Sequence, residues 1–255
     1  MKTEWLYGSH AVEEALAAGR RRVLEIRLED RPEVLRRFEA LAAAAAARGV
    51  RLRRVPGGEL DAVAAGGRHQ GVAARVTEYP GASLEELFGG AADAAAPVLA
   101  LDRVLDPQNL GAILRSALCA GARAVIVPRD RSAPPTPAVS RASAGALEHV
   151  RLIRVINLAR TLDELKGRGY WVAGLDRAAE RGLYETELPQ PLVVVVGGEG
   201  RGIRSGVRRR CDLLLSIPQE GPLDSLNVAA AAAVALFEIR RRRLGERGRT
   251  GEGCR

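Results

Sequence analysis

Three short stretches of the chain bring together residues that can grip anions, bend the backbone tightly or hold hydroxyl groups, and each follows an apolar run. In LDRVLDPQNLGAILRSALCAGARAVIVP, a polar Asp-Pro-Gln-Asn turn leads into a helix for which Asn109 is a suitable N-cap and Leu110, Ile113, Leu114 and Ala117 form the core stripe. Arg115 projects off that stripe one turn after Gly111, so a guanidinium stands beside a gap near the head of a helix. The pair can hold a phosphate or a ribose, although residue types alone favour a plain cap and a solvated arginine. In VVVVGGEGRGI, a buried strand ends in Gly197, Gly198, Glu199 and Gly200, with Gly202 next. Such glycines let the backbone approach a ligand and leave N–H groups free around one carboxylate. A tight turn alone accounts for only one or two of them. In SIPQEGPLDSLNVAAAAAVALFEI, a strand passes through a Gly-Pro turn to Ser225, Leu226 and Asn227 at the head of an alanine-lined helix, which Ser225 or Asp224 can cap.

For these loops to act together, the elements behind them must deliver them to one place. Short, nearly continuous apolar runs at 98–101, 124–127, 152–155, 171–175, 192–196 and 213–217 read as parallel strands covered on both faces. Helical patterns fit between them at 110–120, 138–147, 158–168 and 203–210, with a last one over 226–243. That alternation predicts an α/β domain with a mostly parallel sheet, in which ligands bind at the carboxyl ends of strands. Ahead of it lies a smaller α/β domain over 1–78: helices over 11–18 and 32–48 and near Leu60, and strands over 23–28, 50–55 and 71–76. Residues 79–96, rich in Pro, Gly and Ala, read as a linker containing one short capped helix at Ser83 to Leu87. The larger domain then spans 97–243, and 244–255 reads as a disordered tail.

The chain has 255 residues, 47% of them hydrophobic, enough to fill a real core, and its formal net charge of +8 makes a polyanion a plausible partner. Lysine occurs only at Lys2 and Lys166 while arginine and alanine abound, so biased codon usage explains part of that charge. Cys119, Cys211 and Cys254 are far apart, and His10, His69 and His149 are equally scattered, so no disulfide framework and no metal site are expected. A reducing cytoplasm fits. The N-terminus lacks the apolar segment of a signal peptide, and no stretch is apolar enough for a membrane span, so a soluble protein is expected.

Together, DPQNLGAILRSA, GGEGRG and IPQEGPLDSLNVA resemble, in order and spacing, the three motifs of the SpoU family of RNA ribose 2′-O-methyltransferases, within the SPOUT superfamily. YGSHAVEEAL and HQGVAARV resemble the small substrate-binding domain of the branch that modifies a guanosine in 23S, large-subunit ribosomal RNA. The resemblance implies a C-terminal deep trefoil knot and S-adenosyl-L-methionine as methyl donor, contacted by Gly197, Gly198, Ile217 and Leu226. It further implies Asn109, Arg115, Glu199, Ser225 and Asn227 around the reacting ribose, an RNA-binding N-terminal domain and a homodimer with the alanine-rich last helix at the interface. One departure stands in the third motif: many relatives carry further small hydroxyl residues where this chain has Pro222-Leu223-Asp224 and Ala229. A tRNA ribose methyltransferase and a non-catalytic RNA-binding or assembly factor are the competing readings. An ordinary doubly wound nucleotide enzyme lacks its glycine fingerprint here.

Overall fold

The computed structural model describes residues 2–89, 95–198, 200, 202–220, 222 and 225–250. They form two compact units: 1–80 together with 134–149, and 81–133 together with 150–255.

The first unit is built on a four-stranded sheet in the order β1-β4-β2-β3, comprising β1 (Thr3–Tyr7), β2 (Val23–Glu29), β3 (Arg51–Val55) and β4 (Val72–Thr77). Sequence patterning does not reveal β1, whose five residues become a strand by pairing antiparallel with β4. Helix α1 (Ser9–Ala18) lays Val12, Ala15 and Leu16 against Leu6, Ile26, Leu28 and Val72. The single helix expected over 32–48 is two, α2 (Pro32–Arg37) and α3 (Glu39–Ala47). Phe38 breaks it: at φ −101° and ψ 21° it leaves the helical path and buries its ring in the core, 1% exposed. Helix α4 (Gly57–Ala64) completes this part, with Leu60 fully buried.

The segment 134–149 joins this unit although its neighbours in sequence belong to the other. The helix expected over 138–147 is α7 (Pro137–Ala142) followed by a 3₁₀ turn (Ala146–Glu148). Between them Ala144 and Gly145 take positive φ, and a Cβ on Gly145 would come within 2.6 Å of Glu14. The Ser143 hydroxyl supplies bonds that the broken helix lacks, donating to Ser140 O (2.9 Å) and accepting from Leu147 N (3.1 Å). Glu148 is fully buried and accepts from Arg21 Nε and from Ser140 Oγ, both at 2.8 Å. Arg21, itself buried, also pairs with Glu4.

The second unit holds a seven-stranded sheet in the order β7-β6-β5-β10-β8-β11-β9, with every adjacent pair parallel. Its strands are β5 (Val98–Asp102), β6 (Ala124–Pro128), β7 (Leu152–Val155), β8 (Trp171–Leu175), β9 (Arg181–Gly182), β10 (Leu192–Gly197) and β11 (Leu213–Ser216). Six coincide with the apolar runs; β9 is too short to show a pattern. Around the sheet lie α5 (Leu84–Phe88), α6 (Pro107–Ala120), α8 (Leu158–Lys166), α9 (Ser205–Arg208) and α10 (Val228–Thr250). Helix α5 carries the expected capping box of Ser83 and Glu86, but it is no linker: Leu87 is fully buried in the core of this unit. Of the expected linker, 90–94 lie outside the described residues. Helix α10 continues past Arg243 through Thr250, where a disordered tail was expected; 251–255 lie outside the described residues.

Removing one partner of a buried ion pair leaves an uncompensated charge, which costs about 3 kcal/mol or more, whereas a half-exposed pair is worth less than about 1 kcal/mol. Glu148→Ala, which strips Arg21 of a partner, is therefore expected to lower the urea midpoint of the chain strongly. Glu14→Ala, which removes only the 2.7 Å pairing with the partly exposed His149, is expected to shift it little. Equal midpoints for the two variants would show that the Glu148 pair does not hold the segment.

Candidate active site

Strands β5 and β10 run side by side with Asp102 opposite Gly197, and beyond them the chain turns tightly. Gly198 N donates to Asp102 O at 2.7 Å. A Cβ on Gly197 would stand 2.1 Å from the Gly202 carbonyl carbon, and one on Gly198 would stand 2.0 Å from Arg103 O. Only glycine fits this close backbone approach, and Gly200 and Gly202 add positive φ angles of 79° and 58°. Gly198 pairs back to Gly202 in an antiparallel bridge, so the segment is a folded loop.

Asp102 anchors that loop. Its carboxylate, fully buried, accepts from Arg204 N and Arg204 Nε, each at 2.8 Å, and lies 2.7 Å from a terminal guanidinium nitrogen of the same arginine. Sequence reading gave no role to Asp102 or Arg204; the signal available was an aspartate closing a buried apolar run.

The loop forms one wall of a cleft of about 570 Å³ at the carboxyl ends of β8, β10 and β11. Gly197, Gly198, Gly200, Gly202 and Ile203 come from the loop; Ile217 and Gln219 follow β11; Ser225, Leu226 and Asn227 precede α10. Leu175, Asp176 and Arg177 supply a further wall from the end of β8. Asp176 is a charge the sequence reading missed: hydrogen bonding from the Arg208 guanidinium, 2.7 Å away, holds its carboxyl below the usual range, with Ala178 N adding a second donor.

The head of α10 is tied to the head of α6. Asn227 Oδ1 accepts from Ala229 N (2.8 Å) and Ala230 N (3.4 Å), while Asn227 Nδ2 donates to Asn109 Oδ1 at 3.1 Å. Two expected caps are thereby corrected. Helix α6 is capped by Asp106, which accepts from Gln108 N at 3.0 Å, because Pro107 starts the helix three residues earlier with no N–H of its own to satisfy; Asn109 lies in the first turn. Helix α10 is capped by Asn227, not by Ser225, and Asp224 lies outside the described residues. Arg115 is exposed on α6, makes no ion pair among the described residues and is not part of the cleft wall. Glu199 also lies outside the described residues. No group of three or more His, Cys, Asp or Glu among the described residues is placed to hold a metal, and no described helix is long and apolar enough to cross a membrane.

Because the Gly197 backbone leaves no space for a Cβ, Gly197→Ala is expected to displace the loop and weaken S-adenosylmethionine binding at least tenfold by calorimetry. Gly206→Ala, on the open surface of α9, is expected to leave it unchanged. Wild-type affinity in Gly197→Ala would show that the loop does not shape a donor site.

Similarity to known proteins spans both units. Residues 96–237 match the SpoU rRNA Methylase family, and residues 5–82 match the RNA 2′-O ribose methyltransferase substrate binding family. A Pseudomonas putida protein named 23S rRNA (guanosine-2′-O-)-methyltransferase RlmB is 44% identical, over 94% of this chain and 97% of its own. A Ralstonia nicotianae protein of the same name is also 44% identical, over 95% and 97%. Among solved structures, an RNA 2′-O ribose methyltransferase superposes with a TM-score of 0.78 at 28% identity, covering 95% of this chain and 89% of that one. An AdoMet-bound rRNA methyltransferase from Sinorhizobium meliloti superposes with a TM-score of 0.76 at 27% identity, covering 94% and 87%. With its glycine loop, its paired helix heads and both family matches in the expected order, the chain belongs to the SpoU rRNA methylase family.

Proposed function

We propose that the chain transfers the methyl group of S-adenosyl-L-methionine to the 2′-hydroxyl of a guanosine in 23S ribosomal RNA. The observation that carries the reading is the cleft at the carboxyl ends of β8, β10 and β11, where glycine backbone comes too close for any side chain. Its volume suits a nucleoside-sized ligand. Gly197, Gly198, Ile217 and Leu226 would hold the donor, which supplies an electrophilic methyl on a sulfonium. The ionised Asp176 on the wall can accept hydrogen bonds from its hydroxyl or amino groups.

The remaining work falls to positioning, which supplies much of the rate in such a transfer. Asn227 and Asn109, bonded to each other, hold the heads of α10 and α6 together beside the acceptor ribose. Ser225, exposed at the cleft edge, can bond a ribose hydroxyl, and Glu199 takes its role from its place in the second motif. Arg115 orients the target ribose and its phosphate. A guanidinium stays protonated near neutral pH, so the 2′-hydroxyl proton passes either to the substrate phosphate that Arg115 holds or to a transiently neutral Arg115, as the methyl–sulfonium bond breaks.

The same reading has the chain after β10 threaded as the family's trefoil knot, the first unit binding RNA, and the protein working in the cytoplasm as a homodimer. The packed pair α6 and α10 leaves Leu118 and Phe237 39% and 46% exposed, and a second copy would cover them.

Mass-spectrometric mapping of ribose methylation in ribosomal RNA tests the proposal in a strain lacking the protein. One 2′-O-methylguanosine is expected to vanish from 23S RNA and to return with the intact chain but not with Arg115→Ala, which is expected to cut turnover at least a hundredfold while sparing donor binding. An unchanged ribosomal map would overturn the substrate, and an active Arg115→Ala would overturn that residue's role.

A further inference from the structure

Several arginines of the second unit brace carboxylates, while others, Arg115 on α6 among them, make no ion pair among the described residues. Arg204, Arg208, Arg210, Arg241 and Arg242 each have a carboxylate partner: Asp102, Asp176, Asp163 and, for the last two, Glu238. Arg103, Arg129, Arg131 and Arg154 have none among the described residues, and they collect at the carboxyl ends of β5, β6 and β7. Like charges held together without internal counterions repel one another, and a polyanion relieves that cost.

Register places these residues more closely than sequence does. Ala100 faces Ile126, Pro128 faces Val155 and Gly197 faces Asp102, so one residue beyond the strand ends Ile156, Arg129, Arg103 and Gly198 share a level. Neighbouring strands are about 4.8 Å apart, so this row runs ~15 Å from Ile156 to the glycine loop of the cleft. Arg129 and Arg154 are set side by side by reciprocal bonds: Arg129 Nε donates to Arg154 O (3.4 Å) and an Arg154 terminal nitrogen donates to Arg129 O (3.2 Å). Arg154 Nε is left without a partner. The loop bearing Arg131 is pinned beside the loop bearing Arg103 by Ala133 N and Ser132 Oγ, which donate to Val104 O at 2.9 and 3.3 Å. Against these cations stand two exposed carboxylates, Asp130 and Asp106, the latter engaged by Gln108 N at the head of α6.

A second observation decides what kind of polyanion fits. The two most exposed large apolar side chains among the described residues are Ile156 (80%) and Leu105 (65%), and both follow these strand ends. A duplex hides its base faces, whereas a single strand offers them to aliphatic side chains and guanidinium planes.

We propose that this edge of the sheet is the track for the single-stranded RNA flanking the target nucleotide. Arg103, Arg129, Arg131 and Arg154 neutralise successive phosphates while Leu105 and Ile156 meet unstacked bases, and the strand is led toward Gly198 and the cleft. The proposal rests on the methyltransferase reading and names the surface through which that reaction takes its substrate.

The test compares the full-length chain with Arg129→Gln/Arg154→Gln on an unmodified 23S ribosomal RNA transcript. Each phosphate of a single strand that is no longer neutralised flattens the dependence of log affinity on log salt by about 0.7, so the double variant is expected to flatten it by about 1.4. Its RNA KM is expected to rise roughly tenfold at moderate salt, with kcat and S-adenosylmethionine affinity unchanged. Arg129→Lys/Arg154→Lys, which keeps the charge, is expected to retain the slope, as is Arg210→Gln, whose arginine is paired with Asp163. A wild-type slope in the glutamine variant, or a loss of donor affinity with it, would overturn the track. A wild-type chain that neither binds nor methylates any RNA would instead sink the methyltransferase reading, and the track with it.

Discussion

The fully buried carboxylate of Asp102 is the interaction around which the catalytic half is organised. A charge without water must be answered by fixed donors, and here both are supplied by Arg204, through its main-chain N–H and its guanidinium. The main-chain oxygen of Asp102 takes the Gly198 N–H, so one residue holds the glycine loop at both of its ends. That grip folds the loop back on itself, so that Gly197 lies against the Gly202 backbone and Gly198 against the backbone of Arg103, and neither has room for a side chain. The other wall traces to the same strand: β5 runs directly into α6, whose Asn109 is bonded to Asn227 at the head of α10. The glycine loop and the paired helix heads are both referred to the end of β5.

Electrostatics adds a second layer. A net charge of +8 says little by itself, because arginine abounds for compositional reasons as well as functional ones. Pairing separates the two. On α9 and α10 the guanidinium groups brace structure, as with Arg208 on Asp176 or Arg241 and Arg242 on Glu238, whose carboxyl the Arg241 and Arg242 hydrogen bonds pull down to about 2. At the ends of β5, β6 and β7 they meet no carboxylate among the described residues, and Arg129 and Arg154 bond backbone oxygens. Charge that folding leaves uncompensated is charge available to a ligand.

Much of this was legible in the sequence, for identifiable reasons. Parallel strands covered on both faces need continuous apolar runs, and VLAL, AVIV and LVVVV can hardly be read otherwise. The glycine loop announced itself by composition. Caps were misread because side-chain type does not say which of several adjacent polar residues lies one step outside the helix; Pro107 decides it for α6, and Asn227 for α10. Phe38 looks like a helix residue until the core that captures its ring is known. Asp102 and Arg204, a hundred residues apart, carried no local mark at all, and neither did the ionised Asp176.

The segment 134–149 shows most clearly where sequence reading stops. A stretch between two adjacent parallel strands is expected to be their crossover, packed on the sheet they belong to. Instead the chain leaves β6 just after Arg129 to Ala133, contributes the buried Glu148 to the first unit, and returns to start β7. The chain therefore passes between the two units at residues 80–81, 133–134 and 149–150, three times where a single linker would pass once. Each additional crossing closes a loop and removes conformational freedom that one flexible tether would leave. A buried ion pair is a poor source of net stability but a strict one, since Arg21 without Glu148 keeps only Glu4 to answer its buried charge. The Arg21–Glu148 pair thus makes a piece of the methylase sequence obligatory for the core of the substrate-binding unit, and the two halves cannot be treated as independently folding modules.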